Sequence, residues 1–263
     1  MKRLSEAASR QPLSDLTHPA GEVFETLRMY EGRVFRAEEH VDRLYESART
    51  GGVRTRLARS RVKAQLSRFA GDCGRRNGLV RIMLGEKGLK LVSVPGRRYS
   101  PNCYKRGVCL RTSVMKRSGA RFLLSRMKSK DCLTGVMASS ERSSKDIFDT
   151  LLLTNEGHVG EGTTSNVFIV KGGVIVTPPL WEGILDGVTR RAVMELASRE
   201  GLKVREDVLL RHDLYNADEG FLTNTSMEIM PVSYVDGRRI GRAAPGPVTR
   251  RLRHAFKSVV ASL

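Results

Sequence analysis

Long apolar runs are missing from this chain of 263 residues, and none approaches the roughly 20 residues a membrane-spanning helix requires. The basic opening Met1-Lys2-Arg3 has no apolar stretch behind it, so no signal peptide is expected. Cysteine is scarce. Cys73, Cys103, Cys109 and Cys132 show no Cys-x-x-Cys spacing. That argues against a metal cluster or a disulfide framework and makes a reducing cytoplasm the expected setting. Acids are almost absent from residues 51–130, where Asp72 and Glu86 stand against 22 lysines and arginines. Elsewhere 24 basic residues meet 26 acidic ones, so the net charge of +18 belongs to one region. A basic face attracts phosphates and small anions. The aromatics that stacking on bare bases would use are thin there, namely Phe69, Tyr99, Tyr104 and Phe122. A solvated arginine-rich surface is the plainer reading, and nucleic acid is not an expected partner. Repeats and low-complexity tracts are absent too. With 40% apolar and 28% charged residues, what remains is a globular chain of one large or two modest domains.

Periodicity divides the chain. Residues 1–20 are polar, with Pro12 and Pro19, and read as a loosely ordered entry. From Glu22 to Tyr30 the side chains alternate, with Val23, Glu25, Leu27 and Met29 on one face. Arg33-Val34-Phe35 returns after a Glu31-Gly32 turn. From Ala37 the period becomes helical, with His40, Val41, Leu44, Ser47 and Ala48 inward until Gly51-Gly52. His40 reads as a structural helix histidine. A second helix is expected over Arg59–Cys73, striped by Val62, Leu66 and Phe69. Two strands follow, Leu79–Leu84 and Leu89–Val94, then a loop over 95–107 and a strand over Val108–Val114. Lys116-Arg117-Ser118-Gly119 reads as a linker, followed by a helix over Cys132–Ser143. Strands are then expected at Asp149–Thr154, Phe168–Val170, Val174–Thr177, Lys203-Val204, Glu219–Thr223 and Ile229–Val235. Helices are expected from Val188 to about Arg199, over Leu209–Asn216 and over Val248–Leu263.

One stretch organises the second half: Glu161-Gly162-Thr163-Thr164-Ser165-Asn166-Val167-Phe168. Glu161 falls among apolar strands, where a carboxylate is costly unless it meets a cation or a donor. The small hydroxylated residues after it let backbone approach a bound group closely. Read alone, the stretch serves equally well as a polar turn between strands. Gly183-Ile184-Leu185-Asp186-Gly187-Val188-Thr189-Arg190 is a glycine turn opening a helix, and a helix start with free N–H groups is a natural phosphate cradle. Other residues have plain readings of their own. Lys128, among Arg121, Arg126 and Lys130, reads by itself as a solvated charge. Arg43 on its helix could be a surface partner of Glu39 or Glu46, and Thr225 could cap a turn.

Seven fragments in one order change that balance. They are Val23-Phe24-Glu25-Thr26-Leu27-Arg28, His40-Val41-Asp42-Arg43-Leu44, Lys128-Ser129, the stretch from Glu161, Thr177-Pro178-Pro179, the stretch from Gly183, and Thr223-Asn224-Thr225. Together they resemble the fold-type IV pyridoxal-phosphate enzymes, which include branched-chain and D-amino-acid aminotransferases and aminodeoxychorismate lyase. The resemblance implies an α+β fold of two domains. A small N-terminal α/β domain would cover 1–117, and a larger cofactor-binding domain with a β-barrel-like sheet core would cover 118–263. It implies pyridoxal 5'-phosphate as cofactor and Lys128 as the lysine that carries it and then shuttles the substrate proton. Glu161 would keep the pyridine nitrogen protonated. Arg43, the backbone N–H groups of Val188 and Thr189, and the hydroxyls of Thr189 and Thr225 would hold the phosphate, with Asn224 bordering it.

The implied activity is transfer of an amino group between an amino acid, branched-chain-like first, and a 2-oxo acid, in a cytoplasmic homodimer. Aminodeoxychorismate lyase activity is the alternative within enzymes, and a basic binding protein that kept the fold and lost the chemistry is the alternative outside them. No membrane and no metal is expected. The chain departs from the family pattern at residues 1–20, which do not resemble the usual opening strand pair, and after Lys128, where Ser-Lys-Asp-Cys-Leu has a charged pair in place of the usual apolar residue and asparagine. The second strand after Gly78 also lacks the arginine- and histidine-containing carboxylate trap associated with the D-amino-acid enzymes.

Overall fold

A computed structural model describes residues 21–94, 96, 99–116 and 146–263. The expectations at residues 1–20, over most of the linker, at Lys128 and over the helix at 132–143 lie outside the described residues.

Strand β1 (Glu22–Tyr30) alternates in burial residue by residue, with Val23, Glu25, Leu27 and Met29 inward as its period demands. It turns through Glu31-Gly32 into β2 (Arg33–Val34) and pairs antiparallel with β3 (Gly78–Gly85), which pairs with β4 (Gly88–Val94). The result is a four-stranded sheet of order β2-β1-β3-β4. Helices α1 (Ala37–Thr50) and α2 (Arg59–Asp72) pack against this sheet. Val41 and Leu44 from α1 and Val62 and Leu66 from α2 close a core with Val23, Leu27, Val80 and Ile82. Phe69 is only half-buried, and Ala70 completes the stripe of α2. Spacing of four residues from Val62 through Leu66 to Ala70 follows one helical face, whereas Phe69 lies on its margin.

The expected loop over 95–107 contains a short helix, α3 (Pro101–Arg106), whose Ser100 hydroxyl accepts the Asn102 N–H at 3.3 Å. Ser followed by Pro is the ordinary opening of a helix. Strand β5 (Val108–Lys116), grouped by the sequence with the N-terminal segment, runs parallel to β6 (Ile147–Leu153) and β12 (Glu228–Val235) in a second sheet. Its Val108 and Leu110 enter the core of that sheet with Leu151 and Val232. Sheet membership is a non-local pairing, which the strand's own pattern does not encode.

The second sheet also contains β7 (Val159–Gly162), β8 (Asn166–Lys171), β9 (Val174–Thr177), β10 (Lys203–Glu206), β11 (Glu219–Asn224) and β13 (Arg238–Arg239). Its order is β10-β9-β8-β11-β12-β5-β6-β7, and β7 also pairs with β8. That last pairing closes a ring through β8, β11, β12, β5, β6 and β7, the barrel-like core expected. Val167, Ile169, Leu222 and Met230 fill one side, while Phe168, Val170, Phe221 and Ile229 pack on the other against α4 (Val188–Arg199) and α6 (Pro247–Ala261). Phe168 and Phe221 stack with centroids 4.9 Å apart. Strands buried on both faces read as continuous apolar runs, as these do. The short α5 (Arg211–Tyr215) adds Leu214 to the inner core.

Candidate active site

The pairing that closes the ring sets the site. Glu161 on β7 lies opposite Asn166 on β8, and the chain between them makes a tight turn with Gly162 N–H donating to Ser165 O at 2.7 Å. Asp149 on neighbouring β6 fastens this turn. Its carboxylate accepts Thr163 Oγ1 at 2.5 Å, Ser165 Oγ at 3.0 Å and the Thr150 N–H at 2.8 Å. Glycine is needed at 162, since a Cβ there would come within 2.2 Å of Ser165 Oγ.

Glu161 is 6% exposed. Its Oε2 accepts the Leu185 N–H at 2.9 Å and Asn166 Nδ2 at 3.3 Å, and Asn166 Nδ2 also donates to Leu185 O at 2.8 Å. Asn166 does bond backbone, and through it the loop before α4 is stitched to the β7–β8 joint. The start of α4 is thereby held beside Glu161. Among the described residues no side chain caps that start, where Gly187 precedes Val188 and the buried Thr189. The start of α6 differs. There the buried Glu219 carboxylate accepts the N–H groups of Val248 and Thr249, each at 2.8 Å.

Arg43 comes in from α1. Its Nη1 donates to Asp186 O at 2.5 Å, two residues before α4. It is not a surface partner of Glu39 or Glu46. It lies buried and pairs with Glu25 of β1, through Nε at 2.6 Å and Nη2 at 2.9 Å. His40 Nδ1 meets the same carboxylate at 3.0 Å. Burial alone would pull the Arg43 guanidinium down, but the Glu25 charge outweighs it and holds the group above its ordinary range. Around this point Arg191 joins the two helices, with Nε on Glu39 at 3.0 Å and Nη1 on Asp186 Oδ2 at 2.7 Å.

Thr225 sits on the turn after β11. Asn224 Oδ1 accepts the N–H groups of Ser226 and Met227, each at 2.8 Å, and its Nδ2 donates to Thr164 O at 3.1 Å. The Thr225 turn is thus tied to the Glu161 turn. The first sheet reaches it as well, through Arg28 Nη1 on Ser226 O at 3.4 Å and Tyr30 OH on Glu228 Oε1 at 2.7 Å. The buried Ser226 Oγ and Thr223 Oγ1 have no partner among the described residues. Hence Arg43 and Glu161 both bond the loop that leads into Val188 and Thr189, at Asp186 and Leu185, and Asn224 ties the Thr225 turn to the turn after Glu161. Lys128 lies outside the described residues.

The family model for amino-transferase class IV matches residues 22–235. The chain belongs to the class IV aminotransferases. It is 31% identical over 272 residues to the branched-chain-amino-acid aminotransferase of Pseudomonas aeruginosa, covering 96% of this chain and 88% of the other. It is 31% identical over 258 residues to the D-alanine aminotransferase of Bacillus licheniformis, covering 91% and 88%. Its fold matches that of the Escherichia coli branched-chain amino acid aminotransferase at a TM-score of 0.85 and 28% identity, covering 96% of this chain and 90% of the other.

Class IV aminotransferases use pyridoxal phosphate, and the site of this one suits such a group. An uncapped helix start beside a buried guanidinium and a threonine hydroxyl fits a phosphate dianion. A buried carboxylate bonded to the loop before that helix fits a pyridinium. Two residues central to this arrangement, Glu25 and Asp149, are not among the site residues that the sequence points to. A signal for Glu25 exists, since a glutamate in the inward phase of β1 is a buried polar group in need of partners. Asp149 carries a similar signal at the head of an apolar strand. Among the described residues no group of three or more metal-ligating side chains exists, and no helix is long and apolar enough to cross a membrane.

Proposed function

We propose that this aminotransferase binds pyridoxal 5'-phosphate on Lys128 and moves an amino group between a branched-chain-like amino acid and a 2-oxo acid, as a cytoplasmic homodimer. The observation that carries the reading is the uncapped start of α4 held between Arg43 and Glu161. When bound, the cofactor supplies an electron sink for the charge left on the substrate α-carbon.

The protein's own residues do the rest. Val188 and Thr189 would donate backbone N–H groups and Thr189 and Thr225 hydroxyls to the phosphate, with Arg43 as its counter-charge. Asn224 borders the phosphate and keeps the Thr225 turn in place. Glu161 would hold a proton on the ring nitrogen. Lys128 would carry the cofactor and act as the base that moves the proton of the substrate α-carbon. Arg28 and Arg81 each keep a buried Nε without a partner among the described residues, which suits a substrate carboxylate. The free thiols of Cys73, Cys103 and Cys109 are consistent with a reducing compartment. We place the division between a small and a large domain in the loop before α3, because β5 pairs within the second sheet.

The deciding experiment is borohydride reduction of the yellow protein followed by peptide mapping. A phosphopyridoxyl group on Lys128 is the expected result, and finding it on Lys116 or Lys130 overturns the assignment. Turnover of leucine, isoleucine and valine with 2-oxoglutarate tests the substrate class, and preference for D-alanine would refute it. Sedimentation at micromolar concentration should give twice the chain mass.

A further inference from the structure

Glu25 is fully buried in the inward row of β1, where every neighbour in phase is apolar. A carboxylate there is expensive. A buried ion pair kept only for stability is often matched by apolar side chains of similar size. The partners chosen here indicate more than packing. The Glu25 carboxylate takes the Nε–Nη2 edge of Arg43 with both oxygens, and His40 Nδ1 fixes Oε2 from the side. Arg43 Nη1 is then directed to Asp186 O. A guanidinium has five N–H bonds, so these contacts leave two for a ligand. A long arginine side chain has many rotamers, and this bidentate clamp selects one.

We propose that Glu25 is a positioning residue for phosphate: it clamps Arg43 so that the remaining guanidinium N–H bonds are presented at the uncapped start of α4. The inference rests on the reading that a phosphate binds there. The clamp acts through orientation. By charge alone Glu25 would weaken phosphate binding, because it offsets the Arg43 cation.

That opposition makes the proposal testable by the difference between pyridoxal 5'-phosphate and pyridoxal, which lacks only the phosphate. Apoprotein of the wild type, Glu25→Gln, Arg43→Ala and the double variant would be titrated with each compound and followed by absorbance. The wild type should prefer the phosphorylated form. Glu25→Gln should reduce that preference about tenfold or more, the scale of one charged hydrogen bond. Pyridoxal affinity itself should change little. The double variant should lose no more than Arg43→Ala alone. Preference retained or increased in Glu25→Gln, with Arg43→Ala losing it, overturns the clamp and leaves the phosphate site standing. Preference unchanged in Arg43→Ala refutes the phosphate site itself. If Glu25→Gln does not fold, Glu25→Asp keeps the charge, withdraws the carboxylate by one methylene, and is read in the same way.

Discussion

Asp149 and Glu161 are carboxylates placed in apolar strands, and turns supply donors to both. Three donors converge on Asp149, two of them hydroxyls of the turn that follows Glu161. Asp149→Ala would strip the acceptor from the Thr163 and Ser165 hydroxyls in a buried place. Each unsatisfied buried donor costs about 1–3 kcal/mol and the Thr163 hydroxyl is only part-buried, so a loss of roughly 2–4 kcal/mol in urea unfolding is expected, and a loss under about 0.5 kcal/mol would contradict this account. Glu161 tests chemistry instead of stability. Glu161→Gln keeps an oxygen to accept the Leu185 N–H and removes the charge that would face a pyridinium. The expected loss in kcat is on the order of 10²-fold, about 3 kcal/mol of transition-state stabilisation, with a much smaller fall in cofactor affinity. Single-turnover rates of the half-reaction measure it. A yellow Glu161→Gln protein with an undiminished rate would reduce Glu161 to a turn residue.

The two long helices of the second half begin in opposite ways. Glu219 caps α6 from within, and its side chain occupies the space beside Gly246, where a Cβ would come within 2.1 Å of it. The first turn of α4 has no such cap among the described residues, and Asn166 Oδ1 fills the space beside Gly187, 2.0 Å from where a Cβ would stand. Gly187→Ala would therefore push Asn166 off Leu185 O and loosen the loop from Glu161. Since Gly187 has an ordinary φ of −71°, the effect is steric and not conformational. Overpacking of this kind costs about 1–3 kcal/mol, and cofactor affinity should fall with it; a variant with wild-type melting and affinity would contradict the argument. Elements are legible in the sequence where local period decides them, as in β1, α1 and the apolar runs of β8 and β11. The same holds for the glycine turn into α4 and the Glu161 turn. Pairings at a distance are not legible. Nothing in Val108–Lys116 says that it lies between β6 and β12, and nothing near Arg43 says that its partner is 18 residues earlier on a strand.

On the scale of the whole molecule, charge and the joint between the sheets matter most. The regional excess of cations is partly answered by acids from elsewhere, with Arg59 on Asp42, Lys63 on Glu38 and Arg76 on Glu31. These pairs are exposed and contribute little each. The joint between the two sheets is different. Tyr30 of β1 donates to Glu228 at 2.7 Å, and Tyr104 of α3 donates to Met227 O at 3.1 Å, so both phenols hold the end of the Thr225 turn. Burial first, and the Glu228 charge next, push both phenols above their ordinary value of 10.0. A raised phenol stays neutral in the folded protein where the unfolded chain has already ionised. Its stabilisation is complete below pH 10 and is lost as the pH rises further, because the unfolded state then releases the proton. Tyr30→Phe should lower stability at pH 8 by about 1.5–3 kcal/mol, the value of a hydrogen bond to a charged group. Between pH 10 and 11 its stability should decline less steeply than that of the wild type, since one titrating phenol is gone. Urea unfolding across that range is the measurement. Parallel slopes for the two proteins would mean that Tyr30 ionises alike in both states, and the joint would then owe nothing to its proton.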